Sequence, residues 1–213
     1  MTDTADKRVQ IIGSRRGFEG FFRVDVHKLR YRRYDGSWSD VIEQEVFERG
    51  AAAAVLPYDP IRDEIVLIRQ FLPGFLFSGR DPFPLHIVAG MIGPGETPEE
   101  VARRETMEEA GLSLEKRPME KVASYLPSPG GSSEVIHVFV ACVDASRAGG
   151  YHGLPEEHED IRVEVMRLEN AIALLDGGAI EDGPALVALL WLARHRDRLR
   201  CAWLSDAGRD RAP

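Results

Sequence analysis

The chain has few cysteines, no long apolar run and no excess of positive charge. Its two cysteines among 213 residues, Cys142 and Cys201, lie far apart and in no metal-binding spacing, so nothing indicates a disulfide-stapled secreted fold. Residues 1–7 are polar, and the longest apolar stretch, 185–193, is far too short to span a bilayer. We therefore expect a cytoplasmic protein without a membrane span.

Acidic residues outnumber basic ones, 35 to 27, which gives a formal net charge of −8 and a pI near 5.3. This balance argues against a nucleic-acid backbone or an anionic membrane surface as a partner. An anionic small molecule would also be repelled unless cations lay between it and the protein. Hydrophobic residues make up 44% of the chain, which is typical of a globular protein with a proper core.

The chain contains no internal repeat or low-complexity linker. We therefore predict an α+β sandwich in which helices cover both sides of a mixed sheet, with a β-rich N-terminal arm. The predicted arm covers 1–50, the main domain 51–200 and a tail 201–213, frayed from Ser205 onward. Apolar periodicity predicts strands at 22–31 (with a bulge near Lys28), 38–48 (after a hairpin at Asp35-Gly36), 51–56, 65–71, 86–92, 121–125, 135–143 and 161–168, and helices at 98–110, 169–176 and 184–196.

One segment carries clear start and stop signals for a helix. Thr97 is a good N-cap, Pro98 suits the first helical position, and Glu100 completes a capping box. Gly111 supplies the left-handed residue that ends a helix. The sequence therefore predicts a loop, a helix of about three turns, and a second loop.

Three carboxylates, Glu105, Glu108 and Glu109, follow one another at i, i+3 and i+4 and so share a face of this helix. They repel one another, and a hard divalent cation such as Mg²⁺ would reverse that effect. Arg104 can pair with one of them. Taken alone, the pattern is also typical of an acidic, solvated helix face.

The whole stretch resembles the Nudix box, which is a glycine, five residues, a glutamate, seven residues and then Arg-Glu-U-X-Glu-Glu-X-Gly-U, where U is bulky and apolar. Thr106 departs from the apolar U and should affect helix packing only. The resemblance implies the Nudix α/β/α sandwich and hydrolysis of a pyrophosphate bond. The matching residues are Gly90, Glu96, Arg104, Glu105, Glu108, Glu109, Gly111 and Leu112.

Further segments, Val88-Ala89-Gly90, Ser128 to Gly131 and His152 to Ile161, are similar to the bacterial ADP-ribose pyrophosphatase group. That resemblance implies two or three Mg²⁺ ions, with Mn²⁺ as a possible substitute, and hydrolysis of ADP-ribose to AMP and ribose 5-phosphate. It implies Glu157 as catalytic base, a choice over Glu159 that spacing alone leaves open. The implied metal ligands are the Ala89 carbonyl, Glu105, Glu109 and Glu159, and the other implied catalytic residues are Arg104 and Glu108.

The resemblance also implies substrate contacts and a homodimer with exchanged N-terminal strands. Phe21 matches an aromatic that stacks on adenine, although a strand-core role fits it equally well. Arg49 matches a polar contact to the nucleotide. The implied substrate-binding residues are Phe21, Phe22, Arg49, Met91, Ser128, Pro129, Gly130 and Glu134.

Three positions depart from the group. Gln44 and Leu72 stand where arginine is usual, and His86 stands where glutamate precedes Val-Ala-Gly. The lost cations favour another nucleoside diphosphate sugar, such as GDP-mannose, as an alternative substrate. His86 is either a core histidine or a specificity residue. A non-catalytic nucleotide-binding module is the alternative outside enzymes, and the complete set of box carboxylates argues against it.

Overall fold

In a computed structural model that describes residues 8–209, with side chains as far as residue 205, the chain divides into two units. Unit 1 comprises the chain up to Gly50 together with Leu126–Val135, and unit 2 comprises Ala51–Tyr125 and the chain from Ile136 onward. The inclusion of Leu126–Val135 in unit 1 is a non-local feature that the sequence does not signal.

Unit 1 is built on an antiparallel three-stranded sheet of order β1-β2-β3. The hairpin predicted at Asp35-Gly36 is present, with Gly36 at a φ of 83°. The bulge predicted near Lys28 is real, but the extra residue is Ile12 on the facing strand. The strands are β1 (Val9–Glu19), β2 (Arg23–Tyr31) and β3 (Ile42–Glu48).

Unit 2 is built on an eight-stranded sheet of order β10-β11-β5-β4-β9-β8, in which β6 pairs with β5 and β7 pairs with β4. Its strands are β4 (Ala51–Asp59), β5 (Glu64–Arg69), β6 (Leu85–His86), β7 (Val88–Met91), β8 (Met119–Tyr125), β9 (Val135–Cys142), β10 (Tyr151–His152) and β11 (Ile161–Arg167). Its helices are α1 (Pro73–Phe77), α2 (Pro98–Ala110), α3 (Leu168–Asp176) and α4 (Gly183–Arg209).

The central strand β4 shows why this sheet is covered on both faces. Almost every residue of β4 is buried, so its side chains must pack against helices on either side. Ala54 and Leu56 contribute to one core with α3 and α4, whereas Ala53 and Val55 contribute to a second core with α2. The predicted α+β sandwich class is confirmed.

The sequence analysis misses two elements and merges two others. It misses β1 because ten of the eleven residues of this strand are exposed, so apolar and polar residues do not alternate along it. It misses α1, which buries none of its residues. The single strand predicted at 86–92 is two short strands that pair with different neighbours.

The last helix is longer than predicted. α4 continues past Arg196 to Arg209, so residues 205–209 of the predicted frayed tail are helical, and 210–213 lie outside the described residues. Although α4 has 27 residues, no helix in the described part of the chain is both long and apolar enough to cross a membrane.

A buried carboxylate ties α4 to the turn between β4 and β5. Asp63 is 5% exposed and accepts hydrogen bonds from the Tyr58 hydroxyl at 2.8 Å and from the Arg196 guanidinium at 2.5 and 2.9 Å. Burial raises the pKa of Asp63, but the bonds from Arg196 and Tyr58 outweigh burial and leave the pKa below its usual value.

We expect Asp63→Asn to lower the free energy of unfolding at pH 7 by about 1–3 kcal/mol, because the donors on Tyr58 and Arg196 lose a charged acceptor. Asparagine tolerates the φ of 57° at this position. Urea unfolding measures the change. Asp197→Asn, whose side chain is 96% exposed, is the matched control and should stay within about 0.5 kcal/mol.

The difference should depend on pH. A carboxyl with a lowered pKa stabilises the fold above its unfolded pKa of about 4, and loses that contribution as the pH falls through its folded pKa. Wild type and Asp63→Asn should therefore converge in acid. Equal stabilities at pH 7 would contradict the role given to Asp63.

Candidate active site

The caps of α2 form as the sequence predicts. Thr97 Oγ1 accepts from the Glu100 amide at 3.2 Å, and the Glu100 carboxylate accepts from the Thr97 amide at 2.8 Å. Gly111 ends the helix at a φ of 64°. These caps fix where α2 begins and ends.

The face that meets the sheet carries a buried carboxylate. Glu109 is 1% exposed, and its Oε2 accepts a hydrogen bond from the Ala89 amide on β7 at 3.0 Å. The Gln70 side chain also hydrogen-bonds to Glu109. Burial, with the nearby negative charges of Glu105 and Glu159, holds the pKa of Glu109 well above its usual value despite the Ala89 bond.

Glu105 lies one turn earlier and covers Gly90. A Cβ atom added to Gly90 would overlap the Glu105 carboxylate, so the carboxylate occupies space that only glycine leaves open. Burial, opposed by the charge of Arg104, raises the pKa of Glu105 to about 7. β7 and α2 therefore approach each other through a glycine and two carboxylates.

Arg104 joins the acidic residues of the box. Its guanidinium donates to Glu96 at 3.1 Å, to Glu105 at 2.7 Å and to Glu108 at 2.9 Å. These carboxylates outweigh the effect of burial and raise the pKa of Arg104. One cation thus fixes the side-chain conformations of three anions, which the sequence predicts for one carboxylate only.

The acidic loop after β10 folds back on itself. The Leu154 amide donates to Glu159 Oε2 at 3.1 Å, and the Glu159 amide donates to the Leu154 carbonyl at 3.3 Å. Between them, a single 3-10 turn, Pro155–Glu157, presents Glu157 with an exposed side chain. Among the described residues, the Glu157 carboxylate has no hydrogen bond or ion pair. Its predicted role as a base remains a prediction.

The negative charges of Glu105 and Glu159 raise the pKa of Glu109, and the charge of Glu159 also raises the pKa of Glu105. Within residues 8–205, no three acidic, histidine or cysteine side chains are already arranged as ligands of one ion. However, Glu105 and Glu159 each keep a second carboxylate oxygen without a hydrogen bond. Carboxylates whose charged form is disfavoured by burial and by neighbouring anions supply the hard oxygen donors that suit a divalent cation such as Mg²⁺.

In unit 1, the predicted nucleotide contacts Phe21 and Phe22 lie at the tip of the β1–β2 hairpin. Phe21 is 87% exposed and so is not a strand-core residue. Phe22 is half-buried, with its ring 4.8 Å from Phe21 and 5.3 Å from Phe47, edge to face in both cases. Phe21 therefore presents an open aromatic face, supported from behind by Phe22.

Arg49 and Glu134 form an ion pair in unit 1, and the Arg49 guanidinium lies 5.6 Å over the Phe22 ring. The segment holding Ser128, Pro129 and Gly130 is exposed. An open pocket of ≈ 300 Å³ lies beside Phe21 and Arg49, and its other five lining residues are not singled out by the sequence analysis. Its lining is Glu19, Gly20, Phe21, Arg23, Glu48, Arg49 and Gly50.

The remaining predicted residues are placed as follows. Met91, at the end of β7 in unit 2, is 39% exposed. His86 is 4% exposed, with Nδ1 3.0 Å from the Ile87 carbonyl, and among the described residues its Nε2 has no partner. Burial lowers the pKa of His86 to about 4. It is a core histidine with one unsatisfied nitrogen.

The other two positions that depart from the ADP-ribose pyrophosphatase group lie elsewhere. Gln44 is exposed on β3, and Leu72 directly precedes α1.

A sheet covered by helices on both faces, with an acidic helix against a glycine-containing strand, is the arrangement of a Nudix protein. A model of the NUDIX domain matches residues 48–189, and the chain belongs to this family. A solved structure described as an ADP compounds hydrolase has the same fold, with a TM-score of 0.67 at 21% identity, covering 92% of this chain and 96% of that one.

Relatives of known activity are also similar over most of the chain. The ADP-ribose pyrophosphatase of Escherichia coli K12 is 44% identical over 195 residues, 92% of each chain. The Haemophilus influenzae enzyme of the same name is 38% identical, over 92% of this chain and 90% of its own. A GDP-mannose pyrophosphatase of Enterobacter sp. is 34% identical, over 70% of this chain and 77% of its own.

We expect Gly90→Ala to weaken binding of Mg²⁺ or Mn²⁺ by roughly 10- to 100-fold, because the new methyl group would displace Glu105. Isothermal titration calorimetry measures the affinity. Gly74→Ala is the matched control, since a Cβ atom there meets nothing within 4 Å. Unchanged affinity in Gly90→Ala would contradict the placement of Glu105 in a cation site.

Proposed function

We propose that the chain hydrolyses the pyrophosphate bond of ADP-ribose and releases AMP and ribose 5-phosphate. The observation that carries this proposal is the contact of Glu109 and Glu105 with the Ala89–Gly90 backbone, with the charge of Glu159 near enough to raise the pKa of both. The similarity to ADP-ribose pyrophosphatases over 92% of the chain supports the choice of substrate.

Magnesium is the proposed ion, in two or three copies, with the Ala89 carbonyl, Glu105, Glu109 and Glu159 as ligands. When bound, such ions neutralise phosphate oxygens and lower the pKa of the attacking water. Because Glu109 and Ala89 are already joined by a hydrogen bond, the carboxylate and the backbone are oriented before any ligand arrives. The acidic protein would thus meet its anionic substrate through cations.

The protein side chains have separate tasks in this proposal. Glu157 accepts a proton from water as the water attacks phosphorus and the P–O bond to the leaving phosphate breaks. Its exposed carboxylate, without a partner among the described residues, is available for that role. Arg104 keeps Glu105 and Glu108 in fixed conformations.

We assign nucleotide contacts to Phe21, Phe22, Arg49, Met91 and Glu134, with the backbone segment Ser128-Pro129-Gly130 as a further contact. The exposed ring of Phe21 suits stacking on a base, and the Arg49–Glu134 pair offers both a donor and an acceptor. GDP-mannose is the second candidate, because Gln44 and Leu72 replace cations and a relative at 34% identity carries that name.

We further propose a cytoplasmic homodimer. In support, β1 is an edge strand of the unit 1 sheet and exposes Ile11, Ile12 and Phe18. An exposed apolar edge favours pairing with a second chain. Light scattering on the full chain distinguishes the dimer from a monomer.

We expect ADP-ribose to be turned over faster than GDP-mannose, NADH or diadenosine polyphosphates, and only with Mg²⁺ or Mn²⁺ present. Product chromatography with each substrate at equal concentration measures this order. A clear preference for GDP-mannose would show that Gln44, Leu72 and His86 outweigh the general similarity. Tight binding of ADP-ribose without turnover would favour a non-catalytic module.

Three substitutions separate the proposed roles of the carboxylates. Glu157→Gln should lower kcat by roughly 10²- to 10⁴-fold with unchanged metal affinity, because only a base is lost. Glu109→Gln and Glu159→Gln should weaken Mg²⁺ binding, because each removes a charged ligand. Kinetics together with calorimetry measure both effects. The opposite pattern for Glu157 and Glu159 would exchange their roles.

A further inference from the structure

His152 joins the acidic loop to the C-terminal end of α2. Its ring lies where a side chain on Gly111 would be, since a Cβ atom there would come within 2.5 Å of His152 Cε1. The next residue, Gly153, donates its amide to the Glu108 carbonyl in the last turn of α2 at 3.2 Å. The loop therefore begins on the helix that carries the box carboxylates.

The ring itself is held in place. His152 Nε2 lies 2.9 Å from the Gly149 carbonyl and donates to it, because a carbonyl oxygen only accepts. With Nε2 donating to the backbone and the ring against Gly111, His152 cannot turn without breaking a contact at each end. This arrangement suits a spacer between two segments.

Gly153, the residue after His152, in turn contacts Glu159. A Cβ atom on Gly153 would lie 2.7 Å from Glu159 Cβ, so the two ends of the loop touch directly. The mutual hydrogen bonds between Leu154 and Glu159 close the same loop. A shift of residues 152 and 153 would therefore move the Glu159 carboxylate relative to Glu105 and Glu109.

We propose that His152 is a positioning residue that sets the distance between the acidic loop and the carboxylates of α2. This inference rests on the proposed function for its catalytic consequence, but its structural content concerns the cation site alone. His152 touches neither substrate nor cation in this account. Its contacts with Gly111 and Gly149 act through the loop that carries Glu157 and Glu159.

The test compares His152→Ala with Tyr151→Ala in the full-length protein. Tyr151 is the adjacent residue of β10 and is 77% exposed, which makes it a matched control. We expect His152→Ala to weaken Mn²⁺ binding, measured by calorimetry, roughly tenfold. Hydrogen exchange at the Gly153 amide and in residues 154–160 should accelerate. Tyr151→Ala should change neither.

With ADP-ribose as substrate, kcat of His152→Ala should fall while KM changes less than threefold, because base and ligand are misplaced rather than removed. His152→Asn keeps a donor for Gly149 but loses the ring, and should give intermediate values in all three measurements. This second variant carries the test if His152→Ala loses its cooperative thermal transition.

Mn²⁺ affinity and loop exchange that both match wild type in His152→Ala would overturn the proposal. Loss of the thermal transition in both His152 variants would also overturn it, since His152 would then be required for the fold. Absence of ADP-ribose turnover in the wild type, with Mn²⁺ affinity still lowered by His152→Ala, would defeat the proposed function and leave the positioning role standing.

Discussion

The hydrogen bond from the Ala89 amide to the Glu109 carboxylate is the interaction on which this arrangement depends. A carboxylate that is 1% exposed loses its hydration, and that loss is costly without a strong partner. The partner is a strand amide, so the acidic helix can lie in one place only against the sheet. The position of Glu105 over Gly90, and the alignment of Arg104 with its three carboxylates, follow from it.

The sequence predicts α2 and its chemistry well because the determining interactions are local. The N-cap, the capping box and Gly111 all act within one helical turn, and each has the geometry that its residue type requires. The acidic face follows from helical spacing. By contrast, β1 is not predicted, because its extended conformation is stabilised by pairing with β2. Its exposed side chains show no periodic apolar pattern.

Other features of the site depend on residues that are distant along the chain. Gln70, the residue after β5, reaches Glu109, and the loop that holds Glu134 reaches Arg49 from 85 residues away. The ring of His152 occupies the space that Gly111 leaves, although glycine at a helix end is already explained by its backbone conformation. No periodicity or spacing rule signals such pairs, because they arise when separate elements meet.

The small side chains of β4 have a consequence for how the site tolerates change. Ala53 is fully buried and packs in the same cluster as Val101 and Ala102 of α2. Protein interiors are close-packed and leave no room for a larger group. A larger side chain at Ala53 would therefore push α2 away from the sheet. Activity should therefore depend on the side-chain volume at Ala53, although this side chain has no polar atom. Variants with lowered activity should therefore accumulate at Ala53 in a mutational scan, on the strand that pairs with Gly90.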